Sequence, residues 1–526
     1  MIRLIFFVMM MCLLMTSTVN AQVKKILYVP IDNRPCNLSQ VVQVAEKLGY
    51  EILTPPAEII GAEKFRGDPE KIWQWVFDTA PQADYAVLST DALMYGSLVA
   101  SRIQQLDPSE ILARARRFED LDAKFPYLQI YAFGTIMRTP RGVSYPGIEP
   151  DYYAVYGPKI FQYSALLDKQ ETERLSGKDL RGLKNLRAEI PAEHLDDWFG
   201  RRAKNFDANK YLIDLTRRGV FEYFLLGCDD SALYSQTHLE SRHLTEYASD
   251  LGKTVVQVTS GADELGMLMI ARAINRDRDQ MPFVSVLYND GVGAKTFPTY
   301  CNEPIGVSVD AAIIAAGGLR IPTHERADLV LAVNTRRNGK TFEASDAKRN
   351  KINLRGDVKS FVEPVKKFVA AGYPVAVADI AFANGADNAL MNQLKKFDLQ
   401  YKIRAYGGWN TATNSTGFLI GAGVLTTFMD DKAVAELLTT RYLDDWAYQA
   451  NIRQEIMNAS YGIPGNGGLW ALGDKLPPLE KLLNERMKTF AAENLRLPNR
   501  WRLEALTVRL PWKRTFECDP RFELAD

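Results

Sequence analysis

Short, almost continuous apolar runs alternate along the chain with longer stretches whose apolar positions recur every three or four residues. The runs occupy residues 25–31, 85–89, 128–134, 222–226, 254–258, 283–288, 329–333, 375–380 and 402–406, and are rich in Val, Ile, Tyr and Phe. A strand with one solvated face alternates apolar with polar residues. A strand buried on both faces does not, and this is the pattern of parallel sheets covered by helices. Between the runs, 111–121 and 265–274 carry helix-spaced apolar positions. Strand and helix in alternation predict an α/β fold. The number of runs is close to the complement of a (β/α)8 barrel with insertions; a doubly wound sheet or two α/β halves fits almost as well.

Residues 163–210 form a long charged insertion expected to be helical. Residues 430–495 read as mainly helical, broken by the glycine-rich loop 462–468, and 501–523 alternate like a β-hairpin. No internal repeat or low-complexity linker is visible. The expected organisation is an α/β domain over 22–429, barrel-like or of a related mainly parallel kind, followed by a helical and β-hairpin extension over 430–526. The first 21 residues stand apart: Arg3, an apolar run over 4–15, then Val19-Asn20-Ala21. This is the order of a cleaved export signal. It places the mature chain, from near Gln22, in the periplasm or outside the cell. The run is too short for a bilayer, which takes about 20 apolar residues. Met11 before Cys12 argues against a lipoprotein. No later segment reads as a span, so no stable membrane insertion is expected.

Composition narrows the classes. Nearly half the residues are hydrophobic, and 64 basic residues balance 64 acidic ones. The chain can bury a large core and has no basic surplus with which to bind nucleic acid. Cys36, Cys228, Cys301 and Cys518 show no CxxC spacing, so a cysteine zinc site is not expected, and buried free thiols are the preferred reading. The four histidines include no HExxH. An all-oxygen Ca²⁺ or Mg²⁺ site built from Asp32, Asp91, Asp229 and Asp387 stays open. There is no GxGxxG turn, Walker lysine loop or GxSxG elbow, and no cofactor is expected.

In parallel α/β folds, ligands bind at the carboxyl ends of the strands. The residues that follow these runs are rich in Asp, Asn and Arg. Asp32 and Arg34 come after the first, Asp91 and Tyr95 after the second, and Arg138 after the third. Asp229 and Asp230 follow the fourth, and Asp263 and Glu264 the fifth. Asp379, Asn384 and Asp387, then Trp409, Asn410 and Asn414, follow the last two. Each has an ordinary structural use: Asp91 as a helix cap, Asp263 and Glu264 in a first helical turn, Asn384-Gly385 as a turn. Their concentration at one edge points to a site. Asp229-Asp230 is the sharpest pair, because at a strand end the turn can bring both carboxyls to one place. One orients the substrate or acts as nucleophile, and its neighbour, with a raised pKa, donates a proton. Glycosidases need two such carboxyls. Trp409, with Tyr95 and Tyr406, offers an apolar face to a sugar ring, and Asn410 an amide to its hydroxyls.

The same residues carry a resemblance. Asp32-x-Arg34-Pro35, Asp91-x-Leu93-x-Tyr95-Gly96 with Ser101-Arg102, and Ile136-Met137-Arg138 match the first half of a bacterial family known as domain of unknown function forty-one twenty-seven. Asp229-Asp230, Gly261-Ala262-Asp263-Glu264, Asp379-Ile380-Ala381 with Asn384-Gly385-Ala386-Asp387, Gly408-Trp409-Asn410-Thr411 with Asn414, and Leu510 to Glu517 match the rest. The resemblance spans essentially the whole mature chain and brings no activity with it. The adjacent aspartates also look like the pair of substrate-assisted hexosaminidases, which implies Asp229 orienting an acetamido group and Asp230 acting as acid/base.

The leading expectation is an exported glycoside hydrolase acting on a small-molecule or glycan substrate. Asp229 and Asp230 are its catalytic pair; Arg34, Arg138, Asn384, Asp387 and Asn414 hold the substrate. The alternatives are a divalent-metal hydrolase of phosphoesters or amides, and a non-catalytic sugar-binding protein of the cell envelope.

Overall fold

The computed structural model describes residues 23–526 except 64, 143–146, 354 and 461–470. The segment expected to be an export signal and the loop 462–468 therefore lie outside the described residues. Six strands form one wholly parallel sheet: β1 (Lys25–Val29), β2 (Glu51–Leu53), β3 (Tyr85–Ser89), β4 (Gln129–Ile136), β5 (Tyr223–Cys228) and β6 (Val256–Ser260), in the order β2-β1-β3-β4-β5-β6. Of the next seven, β7 (Phe283–Tyr288), β8 (Leu319–Arg320), β9 (Leu329–Asn334), β11 (Val375–Asp379) and β13 (Ala405–Gly407) form a second parallel sheet. Its order is β8-β7-β9-β11-β13. The short β10 (Phe342–Glu343) and β12 (Phe382–Ala383) pair beside it. The mainly parallel α/β architecture is as expected, and the strands are dealt into two halves.

The two halves wind alike. In each, the second strand lies outside the first, and the chain then crosses to the other side to lay down the remainder. Each sheet therefore has a switch point, β1/β3 in the first and β7/β9 in the second, where the carboxyl ends part and leave a crevice. No sequence repeat announces this, because the strands need only be apolar on both faces. Ile26 and Tyr28 point into a core shared by the two halves; Leu27 and Val29 point to a separate core under the outer helices. This is the period-two alternation of a strand with both sides covered.

Two helices join the halves. Leu265–Asp277 follows β6 and returns over β3 and β4; Ala412–Leu425 follows β13 and packs on β11 and β13; the two lie directly against each other. Their closeness depends on glycine. A Cβ at Gly421 would lie 3.0 Å from the Met267 carbonyl oxygen, and one at Gly417 would lie 2.4 Å from Glu264 Cγ. The charged insertion is helical, as expected, over Tyr153–Thr172, Gly177–Glu189 and Ala192–Arg217. The C-terminal part holds helices Asp431–Arg441 and Leu476–Asn494, with an eleven-residue π-helix, Tyr442–Ile452, after the first. The antiparallel hairpin β14 (Arg502–Arg509) and β15 (Asp519–Ala525) closes the chain. Cys36, Cys228, Cys301 and Cys518, the cysteines among the described residues, are buried free thiols. Among the described residues no helix is long and apolar enough to cross a membrane.

The helix crossing gives the first prediction. Gly421→Val removes a helix-interior glycine, which alone favours the helix by up to about 1 kcal/mol. It also forces a branched side chain against backbone, at a cost of about 1–3 kcal/mol. Urea denaturation should show a net loss of stability; a net gain would mean that the two helices do not approach this closely.

Candidate functional site

A cavity of about 300 Å³ opens where the carboxyl ends of the two sheets meet. Asp32 and Arg34 reach it from the end of β1, and Arg102 from the short helix after β3. Arg138 comes from β4, Asp229 and Asp230 from β5, and Asp263 from the turn after β6. The second half contributes Tyr300, Asn384, Asn410, Thr411 and Asn414. The segment between β14 and β15 adds Trp512, Arg514 and Phe516.

Arg34 organises one wall. Its Nε lies 3.0 and 2.9 Å from the two oxygens of Asp32, and its Nη1 donates to Asp263 at 3.1 Å and its Nη2 at 2.6 Å. Asn37 donates to Asp32 at 2.9 Å, and Asn410 to Asp263 at 2.7 Å. Trp512 lies beside Arg34, its centroid 5.5 Å from the guanidinium carbon, and its indole N–H donates to Asn33 at 2.6 Å. Two carboxylates and one guanidinium are thus taken out of water together, which is tolerable only when each is paired and hydrogen-bonded.

The opposite wall holds the aspartate pair. The Asp229 N–H donates to the Ile136 carbonyl at 3.2 Å, extending the β4–β5 ladder by one residue. Arg102 Nε donates to Asp229 Oδ2 at 3.0 Å, both side chains being buried. The chain then leaves the strand through a left-handed backbone at Asp230, φ 31°, which turns the second carboxyl to the same side as the first. Tyr300, Asn384 and Trp512 are left-handed too, at φ 71°, 59° and 57°. Non-glycine residues adopt this region at a cost, and such strain concentrates at functional sites. The Asp230 side chain keeps 37% exposure and accepts from Arg138 at 3.1 Å, while Glu149 holds the other edge of Arg138 at 2.6 Å. Burial in the cavity floor and the neighbouring Asp229 carboxylate push the Asp230 carboxyl above its ordinary pKa; Arg138 and Arg102 pull it back.

Seven residues singled out from sequence do not line the cavity. Asp91 turns inward to the backbone N–H and hydroxyl of Thr135, at 2.8 and 3.0 Å, and pins the end of β4. Tyr95 is buried in the outer core. Asp379 takes donors from Asn334, Tyr406 and the Asp387 N–H, and Asp387 caps helix Asn388–Lys396 while pairing with Arg355. Trp409 is only 5% exposed and packs against Phe516. It offers no open face, and Tyr406 is equally buried. Glu264 lies folded over Gly261, whose φ of 114° and missing side chain make room for it. Conversely, sequence reasoning left Arg102, Tyr300, Trp512, Arg514 and Phe516 without a role. Arg102 had a usable signal, a lone cation in the apolar stretch Leu98 to Ile103. Among the described residues, no group of three or more His, Cys, Asp or Glu side chains is placed to hold a metal ion.

Fold and site together define a parallel α/β protein of two sheets with a charge-lined cavity at the carboxyl edges of both. The chain belongs to the family described as Protein of unknown function (DUF4127), which it matches over residues 26–520. No curated protein matches it.

Two outcomes follow for stability. Arg34→Met leaves Asp32 and Asp263 buried without their counter-ion and should cost about 3–5 kcal/mol in urea denaturation near neutral pH. The loss should shrink on acidification, because unpaired buried carboxylates bind protons more readily. A pH-independent loss would contradict the pairing. Separately, burial pushes the Glu264 carboxyl up to about 8 and the Asp91 carboxyl up to about 7, against the hydrogen bonds from Thr135. Both values lie above the ordinary carboxyl value of about 4, so the folded chain keeps protons that the unfolded chain releases. The stability this gives is complete below about pH 4 and is lost as pH rises through 7 and 8. Melting temperature should fall from about pH 6 to about pH 9, and Glu264→Gln should flatten the upper part of that fall. An unchanged slope in the variant would show that Glu264 is not the group responsible.

Proposed function

We propose that the protein is an exported carbohydrate-active enzyme, a glycoside hydrolase with Asp230 as general acid and Asp229 as its charged partner. The observation that carries this reading is the unequal setting of two adjacent carboxyls on one cavity floor. Asp229 is engaged by Arg102 in a buried ion pair. Asp230 is open to the cavity, and both burial and the Asp229 charge favour its protonated form. Environments that push neighbouring carboxyls apart are how one site holds an acid and a base at the same pH. Asp229 then orients the substrate or attacks the anomeric carbon, and Asp230 protonates the departing oxygen. The expected export signal over residues 1–21 is consistent with a substrate met in the periplasm or outside the cell. Two similarly wound α/β halves around the cavity favour a second reading, a sugar-binding protein without turnover.

Substitution separates the two. With chromogenic glycosides as substrates, Asp230→Asn should lower kcat by about 10²–10⁴-fold while ligand binding persists. The wild-type rate should decline on the alkaline side as Asp230 loses its proton. Because its pKa is raised, that decline begins at higher pH than an ordinary aspartate would give, and the variant should lack it. Undiminished turnover in the variant removes Asp230 as the acid; binding with no turnover by the wild type supports the second reading.

A further inference from the structure

The hydrogen-bonding capacity left open in the cavity defines the ligand more narrowly. One wall is closed to it. All three nitrogens of the Arg34 guanidinium are engaged by Asp32 and Asp263, and Asn37 and Asn410 complete those carboxylates. The other wall is different. Asp229 and Asp230 each use Oδ2 alone, and neither Oδ1 bonds to another described residue. Arg102 uses Nε and Nη2 and Arg138 uses Nε and Nη1; Arg102 Nη1 and Arg138 Nη2 bond to no other described residue. Asn414 accepts from the Ala262 N–H at 3.0 Å, and its amide N–H₂ makes no bond with another described residue. Asp229, Arg102 and Asn414 are each more than nine-tenths buried, so their free atoms face the cavity and not bulk water.

The Asp229 carboxylate, the Asp230 acid, two cationic donor edges and an amide donor therefore stand around one small volume. A ligand carboxylate or phosphate that reached Arg102 and Arg138 would also lie against Asp229 and Asp230. An ammonium group that reached the aspartates would lie against the arginines. Like charges brought together in a desolvated site cost several kcal/mol. A hydroxyl donates one hydrogen bond and accepts others, so neighbouring hydroxyls on one ring can donate to the aspartates and accept from the arginines together. Leu98, Val99, Pro140 and Ile148 supply an apolar wall for the C–H face of such a ring. The volume, about 300 Å³, lies at the lower end of ligand sites.

We propose that the cavity takes one uncharged, polyhydroxylated ring, a neutral monosaccharide unit, gripped through neighbouring hydroxyls by the Asp229–Arg102 and Asp230–Arg138 pairs. This narrows the substrate of the glycoside-hydrolase reading and rests on it only for the reaction, not for binding.

The test is calorimetric titration of the mature chain with D-glucose, D-galactose and N-acetyl-D-glucosamine, and with the charged rings D-glucuronate, D-galacturonate, D-glucosamine and D-galactosamine. At least one neutral ring should bind, about tenfold or more tighter than its charged counterparts. Arg138→Lys, which keeps the charge but not the second N–H edge, should weaken that binding by about tenfold. A uronate or amino sugar that binds as tightly as the neutral ring overturns the proposal, and so does an absence of binding across the panel. If Arg138→Lys does not fold, the wild-type panel decides alone. Binding of a neutral ring without turnover of any glycoside removes the hydrolase reading and leaves this inference standing; turnover restricted to uronides does the reverse.

Discussion

The guanidinium of Arg34 is the constraint to which both halves of the molecule are fitted. It stands between Asp32, at the end of the first strand, and Asp263, at the start of the helix that runs between the sheets. Neither carboxylate could be buried alone, since desolvation costs an unpaired charge several kcal/mol. Together, with Arg34 between them, they fix the end of β1 against that helix. Asn410, from the loop after β13, donates to Asp263, so the second half is set in register with the first through the same group. Trp512 brings the C-terminal segment onto it as well. One cation thus draws in four stretches of chain hundreds of residues apart.

The π-helix Tyr442–Ile452 does comparable work behind the second half. The Asp445 carboxylate accepts from the Gly408 N–H at 2.7 Å, and its carbonyl from the Ala386 N–H at 2.9 Å. Tyr448 and Gln449 donate to the carbonyls of Thr515 and Phe516. The loops that carry Asn384 and Asn410, and the tail that carries Arg514 and Phe516, are therefore held by one short helical segment. π-helical turns are uncommon and recur near functional sites. Here the Asp445 side chain and carbonyl hold two loops, and the Tyr448 and Gln449 side chains hold the C-terminal tail.

Much of the fold is legible in the sequence because burial on both faces leaves a coarse mark, a continuous apolar run. The two strands whose positions define the repeated winding leave no such mark. β2 is Glu51-Ile52-Leu53 and β8 is Leu319-Arg320; both lie at sheet edges, with β2 partly and β8 largely exposed. Without them the order of strands, and so the division into two similarly wound halves, does not follow from local pattern. The site is legible to the same degree and for a related reason. Strand ends can be found, but an aspartate at a strand end looks the same whether it faces a cavity or a backbone N–H. Asp91 and Asp229 differ in partner, Thr135 for one and Arg102 for the other, and the partner lies far along the chain. Trp409 and Trp512 exchange roles on similar grounds. The first sits inside its own loop's packing, and the second is delivered by a tail whose path only the tertiary structure sets.

The cavity's two walls then differ in kind. The Arg34 wall has its hydrogen bonds complete, which suits a group that must hold still. The Asp229–Asp230 wall keeps open atoms on both acids and both arginines, and reaches that state at some conformational expense: Asp230, Tyr300 and Asn384 all adopt the left-handed backbone. Glu343 bridges the last two, accepting from the Tyr300 hydroxyl at 3.0 Å and from the Asn384 amide at 2.9 Å. The Ser231 N–H, next to Asp230, donates to the Tyr300 carbonyl at 3.0 Å. The strained residues therefore restrain one another, within the second half through Glu343 and across to the first half through the Ser231–Tyr300 bond. A wall that served only to stabilise the fold would have no reason to leave buried charges half-satisfied beside strained backbone. The combination follows when those atoms are kept free for a ligand and the completed wall across the cavity supplies the rigidity.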